Sequence, residues 1–325
     1  MVESPIIHQH PLDAADIAPR AAIRAWLEPQ RDQWPDWPER RASFDELIGA
    51  ISAVPGVVYE AASVGDVPGF WCRPPAARPG AALLYFHGGA YVVGSPRAHR
   101  GFVSHIAART RTATFIPQYR LAPEHRFPAA VLDAQACYRT LRDEMPGPIA
   151  IAGASAGGGL GLSLLELAST EAKQTGHAPP VAAALFSPWT DLSLSGDSLR
   201  TRAQADVALS APALASAASH YLAGHDPRDP LASPLYGNLA ELPPIRIHVG
   251  DDEVLLDDSV RFVERASRAG VDAQLHVWQG MLHVFPISVG RLRAAALALD
   301  AVGQFLAQRL EDPGAQRTDS SSRDL

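Results

Sequence analysis

Ile149-Ala150-Ile151-Ala152-Gly153-Ala154-Ser155-Ala156-Gly157-Gly158-Gly159-Leu160 is the stretch that decides the fold. Four apolar residues end on a glycine. A serine sits between small residues, and the glycine-rich run GGGLGLSLLELAS (157–169) then takes on a helical pattern. An apolar strand entering a tight turn and leaving as a helix is the setting in which a serine hydroxyl is held clear of the backbone. Glycines on either side permit a sharp turn, because side chains there would collide with neighbouring elements. The helix that starts after Ser155 aims backbone N–H groups at the turn, where they favour negative charge.

Working outward, short apolar runs alternate with longer helix-like stretches. Strands are expected at Val57–Ala61, Gly69–Arg73, Ala82–Phe86, Thr114–Pro117, Ile149–Ala152, Ala182–Ser187, Ile245–Val249 and Ala273–Val277. Several are apolar throughout, as strands covered on both faces are. Helices are expected at Arg97–Thr110, Pro128–Glu144, Gly158–Glu171, Asp258–Ala269 and Val289–Leu310. The alternation predicts an α/β fold with a mostly parallel eight-stranded sheet flanked by helices. Residues 1–50 read as a helical cap segment carrying Trp26, Trp34 and Trp37, either a lid over something apolar or a helical arm packed on the body, and the Ala/Ser-rich stretch 197–224 as a second cap piece. Residues 51–311 form the body, and the tail 312–325, poor in apolar residues, reads as disordered.

Composition narrows the classes. The chain has 325 residues, of which 47% are hydrophobic and 19% charged, enough for a large core in one domain. A net charge of −7 without a basic patch points away from nucleic acid. Cys72 and Cys137 fit neither a metal-ligand nor a redox spacing, and read as two separate thiols. The acidic, proline-containing N-terminus does not resemble a signal peptide and no apolar run reaches spanning length, so a cytoplasmic protein with no membrane partner is expected.

A serine nucleophile needs donors for the developing oxyanion, a base and an acid. His87-Gly88-Gly89-Ala90-Tyr91 follows the run Ala82–Phe86, and its two glycines let backbone N–H groups approach a substrate unobstructed. Gly88, Gly89 and Ala156, the residue after the nucleophile, are the candidate oxyanion donors. The chain has 12 histidines. His283 stands in a loop after the last candidate strand, where a base belongs in an open α/β sheet; His87 is assigned to shaping the oxyanion loop. After Val249 the chain reads Gly250-Asp251-Asp252-Glu253-Val254-Leu255-Leu256-Asp257-Asp258, and chemistry alone leaves the choice of acid among these carboxylates open.

Together these motifs resemble the hormone-sensitive-lipase-like branch of the α/β-hydrolases, the bacterial family IV esterases. The resemblance spans about residues 80–290 and includes Tyr119–Ala130 (YRLAPEHRFPAA), Ser187–Ser193 (SPWTDLS) and Asp229–Leu239 (DPLASPLYGNL). It implies an α/β-hydrolase fold and a Ser155–His283 pair in the family's order. The acid takes the third position after Gly250, which makes it Glu253, with Asp252 the runner-up. It implies hydrolysis of short- to medium-chain esters, with lactones and acetylated secondary metabolites as further substrates, and no metal or cofactor. Tyr91 and Trp189 are expected in the substrate pocket, and a homodimer through the edge of the last strand, Ala273–Val277. Three residues depart from the family pattern: Ala154 in the elbow, Ala90-Tyr91 in place of glycine and tryptophan, and the glutamate. The rival readings are a ligand receptor on a decayed hydrolase body, which typically lacks the histidine, and an amidase using the same residues.

Overall fold

The computed structural model describes residues 5–31 and 37–311. In chain order the elements are β1 (Ile6–His10), α1 (Ile17–Leu27), α2 (Trp37–Gly49), β2 (Val58–Val64), β3 (Val67–Arg73), β4 (Ala82–Phe86), α3 (Pro96–Thr110), β5 (Ala113–Pro117), α4 (Ala129–Glu144), β6 (Ile149–Ala154), α5 (Ala156–Thr175), β7 (Ala183–Phe186), α6 (Ser198–Thr201), α7 (Ala211–Leu222), β8 (Ile245–Gly250), α8 (Leu256–Arg268), β9 (Ala273–Trp278) and α9 (Arg293–Glu311). The strands form one sheet in the order β1-β9-β8-β7-β6-β4-β5-β3-β2. Pairing is antiparallel only where β3 meets β2 and β5. The expected α/β architecture is present, with nine strands among the described residues in place of eight.

The central strands are sealed on both faces, which explains their unbroken apolar runs. Along β4 the side chains alternate between two cores. Leu84 and Phe86 pack with Leu141 of α4, Leu160 of α5 and Phe262 of α8. Leu83 and Tyr85 face the other way, toward Phe102 and Ile106 of α3 and Leu299 and Val302 of α9. α3 begins cleanly because Ser95 accepts the Ala98 N–H at 3.2 Å and Pro96 occupies the first turn. α9 starts four residues later than its pattern predicts, because 285–288 wind as a tighter helix and Gly290 turns with φ +85°.

The extra strand is the main correction. Residues 6–10, expected in a helical cap, form β1 and pair in parallel with β9, from Ile6 opposite Gln274 to His10 opposite Trp278. The backbone of β9 recruits this segment; its own side chains are largely exposed and carry no buried alternation. β1 covers the edge Ala273–Val277 through which a homodimer was expected, so the free edge on this side belongs to β1. Trp26 lies on α1 and is 47% exposed. Trp34, the side chain of Trp37 and the tail 312–325 lie outside the described residues. Cys72 and Cys137 are buried free thiols, each pushed up to about 12 by burial. Among the described residues no helix is long and apolar enough to cross a membrane.

Candidate active site

β6 ends at Ala154 and α5 begins at Ala156, leaving Ser155 alone in the turn with φ +53° and ψ −124°. Such a conformation in a residue with a Cβ costs about 1–3 kcal/mol and persists only where the surroundings enforce it. They do so through three backbone hydrogen bonds. Ser155 N–H donates to Phe186 O at 2.9 Å, and Ser155 O accepts from Gly159 at 3.1 Å and Trp189 at 3.0 Å. The flanking glycines answer to close approach. A Cβ on Gly153 would stand 2.4 Å from Gly157 O, and one on Gly157 would stand 2.2 Å from Phe86 O.

That second contact ties the elbow to the loop leaving β4. Gly88 lies beside the nucleophile, since a Cβ there would be 3.4 Å from Ser155 Cβ. His87 is buried and braces this loop. Its Nδ1 is 2.8 Å from Gly88 O, and the Tyr119 hydroxyl donates to His87 O at 2.7 Å. The ring is sandwiched between Tyr119 at 4.3 Å and His99 at 5.0 Å. Burial, and then the neighbouring His99, push the His87 imidazole down to about 3. The ring is therefore neutral at ordinary pH, and its Nδ1–H is the proton that reaches the Gly88 carbonyl.

The loops after β8 and β9 bring Glu253 and His283 together, with His283 Nδ1 at 2.7 Å from Glu253 Oε2. The Glu253 carboxylate is fully buried and holds two further donors on Oε1, Ser187 Oγ at 2.7 Å and Gly250 N–H at 2.6 Å. His283 Nε2 has no hydrogen-bond partner, so no bond joins it to Ser155 Oγ in this structure. The nucleophile and the base loop are nonetheless anchored on consecutive positions. Phe186 O takes the Ser155 N–H, and Ser187 Oγ takes the Val284 N–H at 3.1 Å. Ser155 is 8% exposed and the His283 side chain 9%.

The remaining carboxylates of the acid loop have other partners. Asp251 accepts the Gly280 N–H. Asp252 is paired with Arg20 at 2.5 Å and Arg24 at 3.1 Å. Asp257 accepts the Ser198 N–H at 2.8 Å. Asp258 accepts the N–H groups of Thr190 and Asp191, and burial pushes its carboxyl up to about 7.

Tyr91 and Trp189, expected in the substrate pocket, are buried, with exposures of 1% and 0%. Trp189 spends its indole N–H on Asp191 O at 3.2 Å, and Tyr91 stacks on Tyr221 of α7 at 3.9 Å. The Tyr91 ring packs α7 against the body. Ser187, Arg20, Arg24 and Asp206 touch the acid or its immediate neighbours and were not singled out from the sequence. Only Ser187 carried a signal there, as the first residue of the block SPWTDLS.

Residues 83–287, more than half the chain, match the model of the alpha/beta hydrolase fold family. The chain belongs to that family. An acetyl-hydrolase of Streptomyces hygroscopicus is 39% identical over 82% of this chain and 88% of its own length. Esterase LipI of Mycobacterium tuberculosis is 33% identical over 91% and 93%. Among solved structures, the esterase EstE5 superposes with a TM-score of 0.85 at 36% identity, covering 90% of this chain and 99% of that one. An esterase from the bacterial hormone-sensitive lipase family matches with TM-score 0.85 at 36% identity over 90% and 98%. This α/β-hydrolase is thus a carboxylic ester hydrolase of the serine carboxylesterase class in the hormone-sensitive-lipase branch.

Proposed function

We propose that this hydrolase cleaves short-chain carboxylic esters, acetyl esters foremost, through Ser155, His283 and Glu253. Ser155 Oγ attacks the ester carbonyl carbon while its proton passes to His283 Nε2. The carbonyl electron pair moves onto oxygen, where the N–H groups of Gly88, Gly89 and Ala156 receive it. Collapse breaks the bond to the leaving oxygen, which takes the proton from His283 Nε2 and departs as the alcohol. Water then attacks the acyl-serine by the same proton path, releasing the acid and restoring Ser155. Glu253 holds the Nδ1 proton, fixing the tautomer with Nε2 as acceptor and stabilising the charged ring.

The observation that carries this reading is the 2.7 Å contact between His283 Nδ1 and a buried Glu253 carboxylate, with Nε2 left open. The preference for acetyl is supported by two relatives, the Streptomyces acetyl-hydrolase and an ethyl acetate hydrolase of Pseudomonas putida at 33% identity. The test is a series of p-nitrophenyl esters of increasing acyl length together with acetylated alcohols and lactones, run on wild type and Ser155→Ala. The expected result is a kcat/KM that peaks at acetyl or propionyl and vanishes in the variant. Turnover retained by Ser155→Ala would overturn the nucleophile; a peak at long acyl chains would overturn the substrate class.

A further inference from the structure

We propose that the two cap pieces position the catalytic acid, gripping the residue on either side of Glu253, so that Asp252, Arg20, Arg24 and Asp206 are positioning residues for the triad. The proposal rests on the reading of Glu253 as the acid.

On one side, Asp252 receives two guanidinium groups from α1, Arg20 at 2.5 Å and Arg24 at 3.1 Å. Spaced four residues apart, they lie on one face of the helix. The same arginines have second holds. Arg20 Nε donates to Gly280 O in the loop that carries His283. Arg24 Nη1 donates to Ala205 O, in the segment between α6 and α7, at 2.7 Å. On the other side, the Val254 N–H donates to Asp206 Oδ2 at 2.9 Å. Asp206 is fully buried and fixed in turn by the N–H groups of Ala208 and Leu209 on Oδ1, at 2.8 and 2.9 Å. Between these polar ties, Ile23 of α1 packs in one apolar cluster with Val207, Met281 and Leu282.

Four chain segments therefore meet around the acid: α1, the 203–209 segment, the acid loop and the base loop. Neither cap piece reaches Glu253 itself. Each holds an adjacent residue, so the carboxylate is located by its backbone while its oxygens stay available to His283, Ser187 and Gly250. The half-buried setting of the Arg20–Asp252 pair, with side-chain exposures of 23% and 17%, gives it more hold than a surface pair. Its consequence is kinetic. A loosened acid loop spoils the orientation of His283 in the transition state while leaving ground-state binding of ester intact, so kcat falls and KM does not.

The experiment measures kcat and KM for p-nitrophenyl acetate in full-length Asp252→Asn, Arg20→Gln, their double variant, Asp252→Glu and Glu253→Gln, with melting temperature as the check on folding. The expected result is a loss in kcat of about tenfold for each clamp single variant, since small misplacements remote from the chemistry carry costs of this order or larger. KM stays constant, the double variant loses less than the product of the two single losses, and Asp252→Glu recovers part of the loss. Wild-type kcat in folded Asp252→Asn and Arg20→Gln would overturn the proposal, as would a change confined to KM or additive losses in the double variant. Glu253→Gln separates the two readings. If it keeps wild-type activity, or loses less than Asp252→Asn, the assignment of Glu253 as acid is overturned. If it is inactive while the clamp variants are normal, the clamp alone fails.

Discussion

The Ser187 hydroxyl donates to Glu253 Oε1 at 2.7 Å, and Ser187 Oγ in turn accepts the N–H of Val284, the residue after His283, at 3.1 Å. One buried side chain thus binds the acid and the base loop at once. Ser187→Ala removes a donor from a buried carboxylate and leaves a buried N–H without an acceptor, a cost of about 1–3 kcal/mol. Denaturant unfolding should show a lower midpoint at unchanged slope, and kcat should drop with it. Ser187→Thr keeps the hydroxyl but places a β-branched residue at φ +47°, so it should be destabilised as well. A Ser187→Ala protein with the wild-type midpoint would remove this bridge from the account.

Gly157 is where the elbow and the oxyanion loop touch. A methyl group there would lie 2.2 Å from Phe86 O and 2.3 Å from His87 O, both backbone atoms that cannot swing aside. Gly157→Ala must push the two loops apart, at a cost in the range of about 1–3 kcal/mol or above. Since Gly88 shares the displaced loop, esterase activity should fall further than stability does. Activity and midpoint falling in step would argue that the loop moves without disturbing the donors.

Several buried histidines make the fold acid-sensitive. Burial, joined at all but His99 by neighbouring histidines, lowers His87 to about 3 and His99 and His276 to about 4, and His248 well below its ordinary value. An unfolded chain binds these protons near pH ~6.5, before the folded one does, so stability is complete above that pH and drains as pH falls toward 4. Asp258 works in the opposite sense. Its carboxyl is raised to about 7, so its contribution is complete below pH ~4 and is lost as pH rises through 7. Melting temperature should therefore decline below pH 6.5, with a shallower slope in His276→Gln, and Asp258→Asn should flatten the decline between pH 5 and 8 on the alkaline side. A melting temperature constant from pH 6.5 to 4 would contradict the histidine part.

β1 shields the edge of β9 along five paired positions. Deleting the chain through residue 11 uncovers that edge, a row of unpaired backbone groups that recruits another strand. Sedimentation velocity should show concentration-dependent self-association of the truncated protein beyond any seen in the full chain. A truncated protein that sediments like the full chain would mean β1 has no protective role.

The helices were legible because their apolar residues recur at helical spacing and their ends carry readable signals such as Ser95-Pro96. Of the eight expected strands, β4 to β7 were legible because strands buried on both faces must be largely apolar throughout. The elbow around Ser155 and the Gly88-Gly89 loop were legible because close backbone approach demands glycine at fixed offsets, a constraint written into a few consecutive letters. β1 was not legible, since an exposed edge strand has no buried face to pattern and its pairing is supplied by β9.

What the sequence determined by itself, then, is local: strand–turn–helix around Ser155, the alternation that builds the sheet, and a short loop rich in carboxylates ahead of a histidine. Which carboxylate meets His283 is a matter of tertiary structure. Asp251, Asp252, Glu253, Asp257 and Asp258 are chemically alike and within eight positions, so nothing in their order separates them except resemblance. In the folded chain Arg20 and Arg24 arrive from some 230 residues upstream to occupy Asp252, while Ser187 and Gly250 receive Glu253. The partner a buried charge finds depends on contacts between distant segments, and those exist only once the sheet has brought the ends of β7, β8 and β9 side by side.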